Sequence, residues 1–236
     1  MSEWNLKRFW KAAGAVPEGA GFAIQLDGRP VRTPAKAALV VPTEALARAI
    51  AAEWDAQEGK LDPATMPCTR SANAAIDKVT AQHAEVAGLI AAYADSDLLC
   101  YRAVEPAELV ARQAAAWDPH LAWAKAAHGI ALDPVAGVIH KAQPQQSLAR
   151  AQAITAAMGP FELAAFHDLV SLSGSFVLGL AALEPGSDPA ALWEASRVDE
   201  SWQEEQWGHD EEAAAMAALK RDAFLHAARL ARLLAG

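Results

Sequence analysis

The sequence predicts an α+β fold, with a small N-terminal antiparallel β domain followed by a larger all-helical C-terminal domain. Three observations carry that reading. Apolar residues alternate with a period of two over roughly the first forty positions, and from Thr43 they recur with a period near 3.6. Alanine supplies about a quarter of the 236 residues, which demands closely packed helices. Apolar residues make up 53% of the chain against 21% charged, a balance that excludes disorder and supports one large or two small cores. The domain boundary is expected in the loop after the first helix, giving residues 1–64, β-rich with one helix, and residues 65–236, helical.

The elements follow in order. Phe22, Ile24 and Leu26 alternate with smaller or polar neighbours, and Asp27-Gly28 supplies a hairpin turn before Arg29 to Thr33. Leu39-Val40-Val41, between Pro34 and Pro42, reads as another short strand. Thr43 is positioned to cap a helix carrying Leu46, Ile50 and Trp54 on one stripe. A further helix is expected through Ile76, Val79, Val86, Leu89 and Tyr93. Trp117-Asp118-Pro119 reads as a helix break, with Asp118 capping a new helix that ends at Gly129. Residues 130–140 fit either a loop or a small strand pair. A helix from Gln145 to Met158 precedes a nearly all-apolar one from Phe161, with Leu169 to Leu183 read as buried core helix. Asp188-Pro189 starts a helix ending at Gly208. Asp210 caps the last, whose inner face is expected to hold Met216, Leu219, Ala223, Ala227, Leu230 and Leu234.

Several function classes are excluded or disfavoured. The net charge of -9 and a pI near 5.2 are opposite to the footprint that nucleic acid or an anionic membrane selects. No stretch has the roughly twenty apolar residues needed to span a bilayer. Cys68 and Cys100 read as reduced thiols, placing the protein in the cytoplasm, and Cys68 is a weak candidate nucleophile. Neither phosphate-cradling glycine loop occurs, and the seven His lack metal-ligand spacing, so no cofactor and no metal are expected. Asp95 and Asp97 could form a carboxylate pair, but helix capping is the plainer reading, and Asp97 is assigned a structural role.

The densest polar feature runs from Glu194 to Glu212. It holds eight acids and one Arg, a net of -7 out of -9. On a helix, Glu200, Gln203, Glu204 and Trp207 share one face, while Asp199, Trp202 and Gln206 form the neighbouring stripe. Glu200 and Glu204 repel at this spacing, so some compensation is expected. A solvated face is the plainer reading of such acids, but acids interleaved with indoles also suit a docking surface. Chain-wide, eight Trp exceed six Phe and two Tyr. Trp54, Trp117, Trp123 and Trp193 are expected to wedge between alanine-rich helices.

A set of motifs in fixed order resembles a known family. It comprises Lys7-Arg8-Phe9-Trp10-Lys11, Leu26-Asp27-Gly28-Arg29-Pro30-Val31 with Thr33-Pro34, Glu53-Trp54-Asp55-Ala56-Gln57, Met66-Pro67, and Asn73-Ala74-Ala75-Ile76-Asp77. Further along come Tyr93-Ala94, Asp97-Leu98-Leu99-Cys100-Tyr101, Trp117-Asp118-Pro119, Asp199-Glu200, Trp202-Gln203 and Trp207-Gly208. The chain thus resembles the ATP-twelve chaperone family, also called ATP synthase F(1) complex assembly factor 2. The resemblance implies a non-enzymatic assembly chaperone that binds the free α subunit of the ATP synthase catalytic head and shields it until it pairs with β. It implies partner-binding roles for Glu200 or the adjacent Asp199, with Gln203, Glu204 and Trp207 beside them. It also marks Trp54 as important, which the helical stripe makes a structural position. Eukaryotic members occupy the mitochondrial matrix, whereas this chain begins almost at the first shared motif and resembles a bacterial cytoplasmic member acting as a monomer. The alternative is a small-molecule hydrolase or lyase built on a carboxylate pair at Asp95/Asp97 or Glu200/Glu204.

Overall fold

The computed structural model describes residues 7–236, which form two compact units. The first comprises residues up to His83 together with Gly159–Ala165 and Arg229–Gly236; the second comprises Ala84–Met158 and Phe166–Ala228.

In the first unit, strand β1 (Ala13–Glu18) pairs antiparallel with β2 (Gly21–Leu26) from Ala13↔Leu26 to Glu18↔Gly21. The expected hairpin follows: Asp27 (φ 48°) and Gly28 (φ 79°) turn the chain into β3 (Arg29–Pro30), two left-handed residues that match strand twist. Strand β4 (Val40–Val41) pairs with β2 as well. Helix α1 (Glu44–Asp55) starts where Thr43 Oγ1 accepts from Leu46 N, and it buries Leu46, Ile50 and Trp54 against this sheet. Trp10 meets Trp54 edge-on with centroids 5.2 Å apart.

The helix expected through Ile76 to Tyr93 is instead three pieces. Helix α2 (Pro67–Ala74) passes into a wider π turn at Ala75–Val79, and α3 (His83–Ala92) follows. Thr80 Oγ1 donates to Ala75 O at 2.8 Å, the same carbonyl that takes Thr80 N, which supports the widened turn.

The second unit contains β5 (Tyr101–Arg102), α4 (Ala107–His128), β6 (Val135–Ala136), α5 (Gln145–Ala157), the end of α6 (Pro160–Ser173), α7 (Phe176–Leu183), α8 (Pro189–Ser196), α9 (Val198–Trp207) and most of α10 (Glu211–Ala235). The undecided segment after Gly129 resolves as loop with one short strand, β6, parallel to β5.

Four expectations need correction. Helix α4 runs through Pro119 without ending, because Gln113, Trp117, Leu121 and Ala124 stay in phase on one buried face. The carbonyl freed by the missing proline N–H belongs to exposed Ala115, where water can take it. The Leu169 to Leu183 run is two helices, broken at Gly174 (φ 70°), after which Ser175 Oγ accepts from Leu178 N to start α7. The helix expected from Asp188 to Gly208 is also two. Ser196 Oγ donates to Trp193 O at 2.7 Å at the end of α8, and Arg197 leaves helical geometry before α9. In α10, Met216, Leu219 and Ala223 are exposed, whereas Phe224, Ala227, Ala228 and Leu230 are buried. The bulkiest side chain sets that rotation: Phe224 packs 5.8 Å from Trp193, and the alanine-rich start of the helix has little apolar area with which to compete.

Of the indoles expected inside, Trp54, Trp117 and Trp193 are buried and Trp123 is half-buried. Trp117 Nε1 donates to Ala195 O at 2.7 Å.

Candidate functional site

The acidic segment divides into two faces of α9. On the inner stripe, Asp199 is half-buried and accepts from Gln113 Nε2 at 2.6 Å. Gln113 is itself buried in α4, and its Oε1 accepts from Ala103 N at 2.8 Å. Nearly two helical turns along, the Arg112 guanidinium donates two bonds to the Glu205 carboxylate, at 2.7 and 2.9 Å, while its carbon lies 5.0 Å from the Trp202 ring centre. That pairing holds the Glu205 carboxyl below its ordinary range and raises Arg112, each chiefly through this shared hydrogen bond. Helix α9 is therefore fastened to α4 by Asp199 and Trp202 on its inner stripe and by Glu205 through an exposed ion pair at the stripe's border.

The helical spacing puts Gln206 rather than Glu205 on this stripe and does not mark Arg112. Gln206 is exposed. Nothing near Glu205 in the chain announces Arg112, which comes from a different helix.

The outer face carries Glu200, Gln203, Glu204 and Trp207, all exposed, with Trp207 80% accessible. The expected compensation for the like charges is present: Arg197 Nη1 pairs with Glu200 at 2.6 Å, and His209 Nδ1 meets Glu204. Beyond Gly208, Asp210 Oδ1 accepts from the N–H groups of Glu212 and Ala213 to start α10. Met216 and Leu219, three residues apart near the start of α10, add exposed apolar surface at 52% and 66% accessibility. A fastened helix thus presents an acidic, indole-bearing face that makes few demands on the fold.

Asp97 lies elsewhere and faces inward. It is fully buried, its Oδ1 accepting from Leu99 N at 2.9 Å and its Oδ2 from Val177 N at 3.0 Å, so it joins two helical starts. Burial pushes its carboxyl up to about 6 against the opposing pull of these N–H groups. Asp95 Oδ1 accepts from Gln143 N at 2.8 Å, and its Oδ2 lies 3.4 Å from His140 Nε2. The two aspartates serve separate partners and do not form a proton-sharing pair. Glu200 and Glu204 likewise have separate partners, Arg197 and His209, so neither pair has the convergent geometry a hydrolase would use.

Cys68 is buried, and its thiol is pushed up to about 12 by burial and by the neighbouring Glu53, the wrong direction for a nucleophile. Among the described residues no group of three or more His, Cys, Asp or Glu is arranged to hold a metal, and no helix is long and apolar enough to cross a membrane.

The ordered motifs of the first unit act as hydrogen-bond staples. Arg8 donates to the carbonyls of Trp10, Lys11, Asp55 and Gln57. Glu53 accepts from the N–H groups of Cys68 and Thr69 at the start of α2, and Asp55 accepts from Ala13 N at 2.8 Å. Trp54 lies between them, 7% exposed and inside the core.

Residues 7–125 match the family described as ATP12 chaperone protein. The solved Atp12 of Paracoccus denitrificans is 45% identical to this chain, with a TM-score of 0.95 over 98% of this chain and 100% of that one. An aspartate-to-lysine mutant of the same Paracoccus protein matches at 45% identity and a TM-score of 0.95, covering 99% of this chain and 100% of that one. The mitochondrial protein atp12 of Schizosaccharomyces pombe is 26% identical over 221 residues, 89% of this chain and 76% of its own length. With half its length matched to the family and its whole fold shared with a 45%-identical member, the chain belongs to the ATP12 chaperone protein family.

Proposed function

We propose that this ATP synthase assembly chaperone binds the unassembled α subunit of the catalytic head through the outer face of α9. The observation that carries the reading is the pairing of a fastened inner stripe with a free outer one. Asp199, Trp202 and Glu205 hold the helix, leaving Glu200, Gln203, Glu204 and Trp207 exposed. An indole 80% open to solvent beside carboxylates has no folding rationale, but it suits a hot spot surrounded by steering charge. Glu200 is the contacting acid in this proposal, and Asp199 positions the helix that carries it.

The proposed action is binding without chemistry. The protein would act as a cytoplasmic monomer in a bacterium, covering the α surface destined for β and leaving as β arrives. The test is light scattering of purified α subunit with and without an equimolar amount of the full chain, followed by gel filtration. Suppressed aggregation with co-elution is expected; α that aggregates unchanged and elutes alone would sink the proposal.

A further inference from the structure

The first unit contains two adjoining clefts, of about 340 and 370 Å³, that share Val31, Arg32, Trp54 and Leu61. Their floor is apolar, with Leu39 and Met66 beside Trp54. Their rim is cationic: Arg29, Arg32, Arg70 and Lys78 line them and are all exposed. The carboxylate on this lining, Asp77, is already engaged, accepting from Thr33 Oγ1 at 2.6 Å and Ala35 N at 3.0 Å. A protein of net charge -9 therefore carries a locally positive cleft with an apolar floor.

The lining also gathers unpaired polar groups. The indole N–H of Trp54, that of Trp10 and the side-chain carbonyl of Asn73 are buried without hydrogen-bond partners. Both tryptophans are more than nine-tenths buried, at 7% and 4% exposure. Such groups are rare in folded proteins. All three atoms are enclosed in the structure, so a ligand would reach them only as the lining side chains part; two donors and one acceptor would then match the alternating C=O and N–H groups of an extended backbone. A hydrocarbon chain would leave all three unpaired, and a simple anion would leave Asn73 unpaired.

We infer that these clefts bind an extended acidic peptide segment, with a large apolar side chain over the Trp54 floor and flanking carboxylates on Arg70 and Lys78. The cationic rim selects acidic side chains, and the apolar floor selects the residue between them. The inference does not depend on the α-subunit reading, which concerns α9 in the other unit, so each can fail alone.

The test titrates the full chain with the capped peptide acetyl-ELEFE-amide and with its neutral analogue acetyl-QLQFQ-amide. Nitrogen–proton spectra of the indole groups report binding, with Trp54→Phe and Trp10→Phe used to assign them. Saturable shifts at the Trp54 and Trp10 indoles are expected, with the acidic peptide bound about fivefold or more tightly than the neutral one. That preference should vanish in the Arg70→Glu/Lys78→Glu double variant and shrink at high salt. Both substituted positions are exposed, so the double variant should melt like the parent. Equal affinity for the two peptides, absence of saturable binding, shifts confined to other indoles, or an undiminished preference in the double variant would each overturn the inference.

Discussion

Charge reversal at two adjacent acids should have opposite consequences. Glu200 is exposed and, among the described residues, its carboxylate pairs with Arg197, three residues earlier on the surface. Replacing it with lysine removes an exposed ion pair worth about 0.2–1 kcal/mol. It also sets a cation in the first turn of α9, costing about 0.3–1 kcal/mol more. The sum is about 0.5–2 kcal/mol, and at about 2–4 °C per kcal/mol for a chain of this size Tm should fall by no more than about 8 °C. Asp199 is different, because its carboxylate accepts from the buried Gln113 amide, which in turn accepts from Ala103 N. Lysine there strands the Gln113 donor and unseats its acceptor, about 1–3 kcal/mol for each buried group, or about 2–6 kcal/mol together. Asp199→Asn keeps a carbonyl for Gln113 and should melt near wild type. The assay is a thermal melt of Glu200→Lys, Asp199→Lys and Asp199→Asn, with capture of α subunit on immobilised protein. Glu200→Lys should fold and bind poorly, Asp199→Lys should melt early, and Asp199→Asn should both fold and bind. Wild-type capture by folded Glu200→Lys, or failed capture by folded Asp199→Asn, would refute the division of labour on α9.

Trp207→Ser should leave Tm within about 2 °C of wild type while weakening α capture, since the indole is 80% exposed; an unchanged capture would remove it from the docking face. Trp54→Ala should cost about 3–5 kcal/mol by opening a cavity in the first unit, with Trp54→Phe losing less, as measured by chemical denaturation. Asp97 makes a pH prediction. Its carboxyl is raised from an ordinary 3.8 to about 6, so between these values the folded chain keeps a proton that the unfolded chain has lost. Its contribution to stability is therefore greatest below about pH 4 and declines by about 3 kcal/mol as pH rises through 6. The wild-type stability relative to Asp97→Asn should fall over that window, and a difference that rises with pH would contradict the burial argument. Native Cys68 and Cys100, both pushed up to about 12 by burial, should resist a thiol reagent at pH 8 and react fully once the chain is unfolded.

The motifs that carry the family resemblance divide by role. In the first unit, Arg8, Glu53, Asp55 and Asp77 each hold together segments far apart in sequence, as in the Asp77 bonds to Thr33 and Ala35. A fixed motif there reports on folding. Around α9 the same kind of motif contains both kinds of residue: Asp199 and Trp202 face α4, while Gln203 and Trp207 face water. Spacing separates Asp199 and Trp202 from Gln203 and Trp207, because residues three and four apart share a side of a helix and adjacent residues do not, but it does not single out Glu205.

The sequence by itself determined the α+β class, the Asp27-Gly28 hairpin, the Thr43 and Asp210 caps and the acidic face of α9. These depend on interactions within a few residues, which local periodicity and capping chemistry record. Tertiary structure decided the rest. Helix α4 continues through Pro119 because a buried stripe remains in phase across it, and α10 turns Phe224 inward and leaves Met216 outside because Trp193 waits opposite. Arg112 reaches Glu205 across 93 residues, and Gln113 reaches Asp199 across 86. Contacts of that range leave no local pattern, since the partner's position is fixed only when both helices have packed.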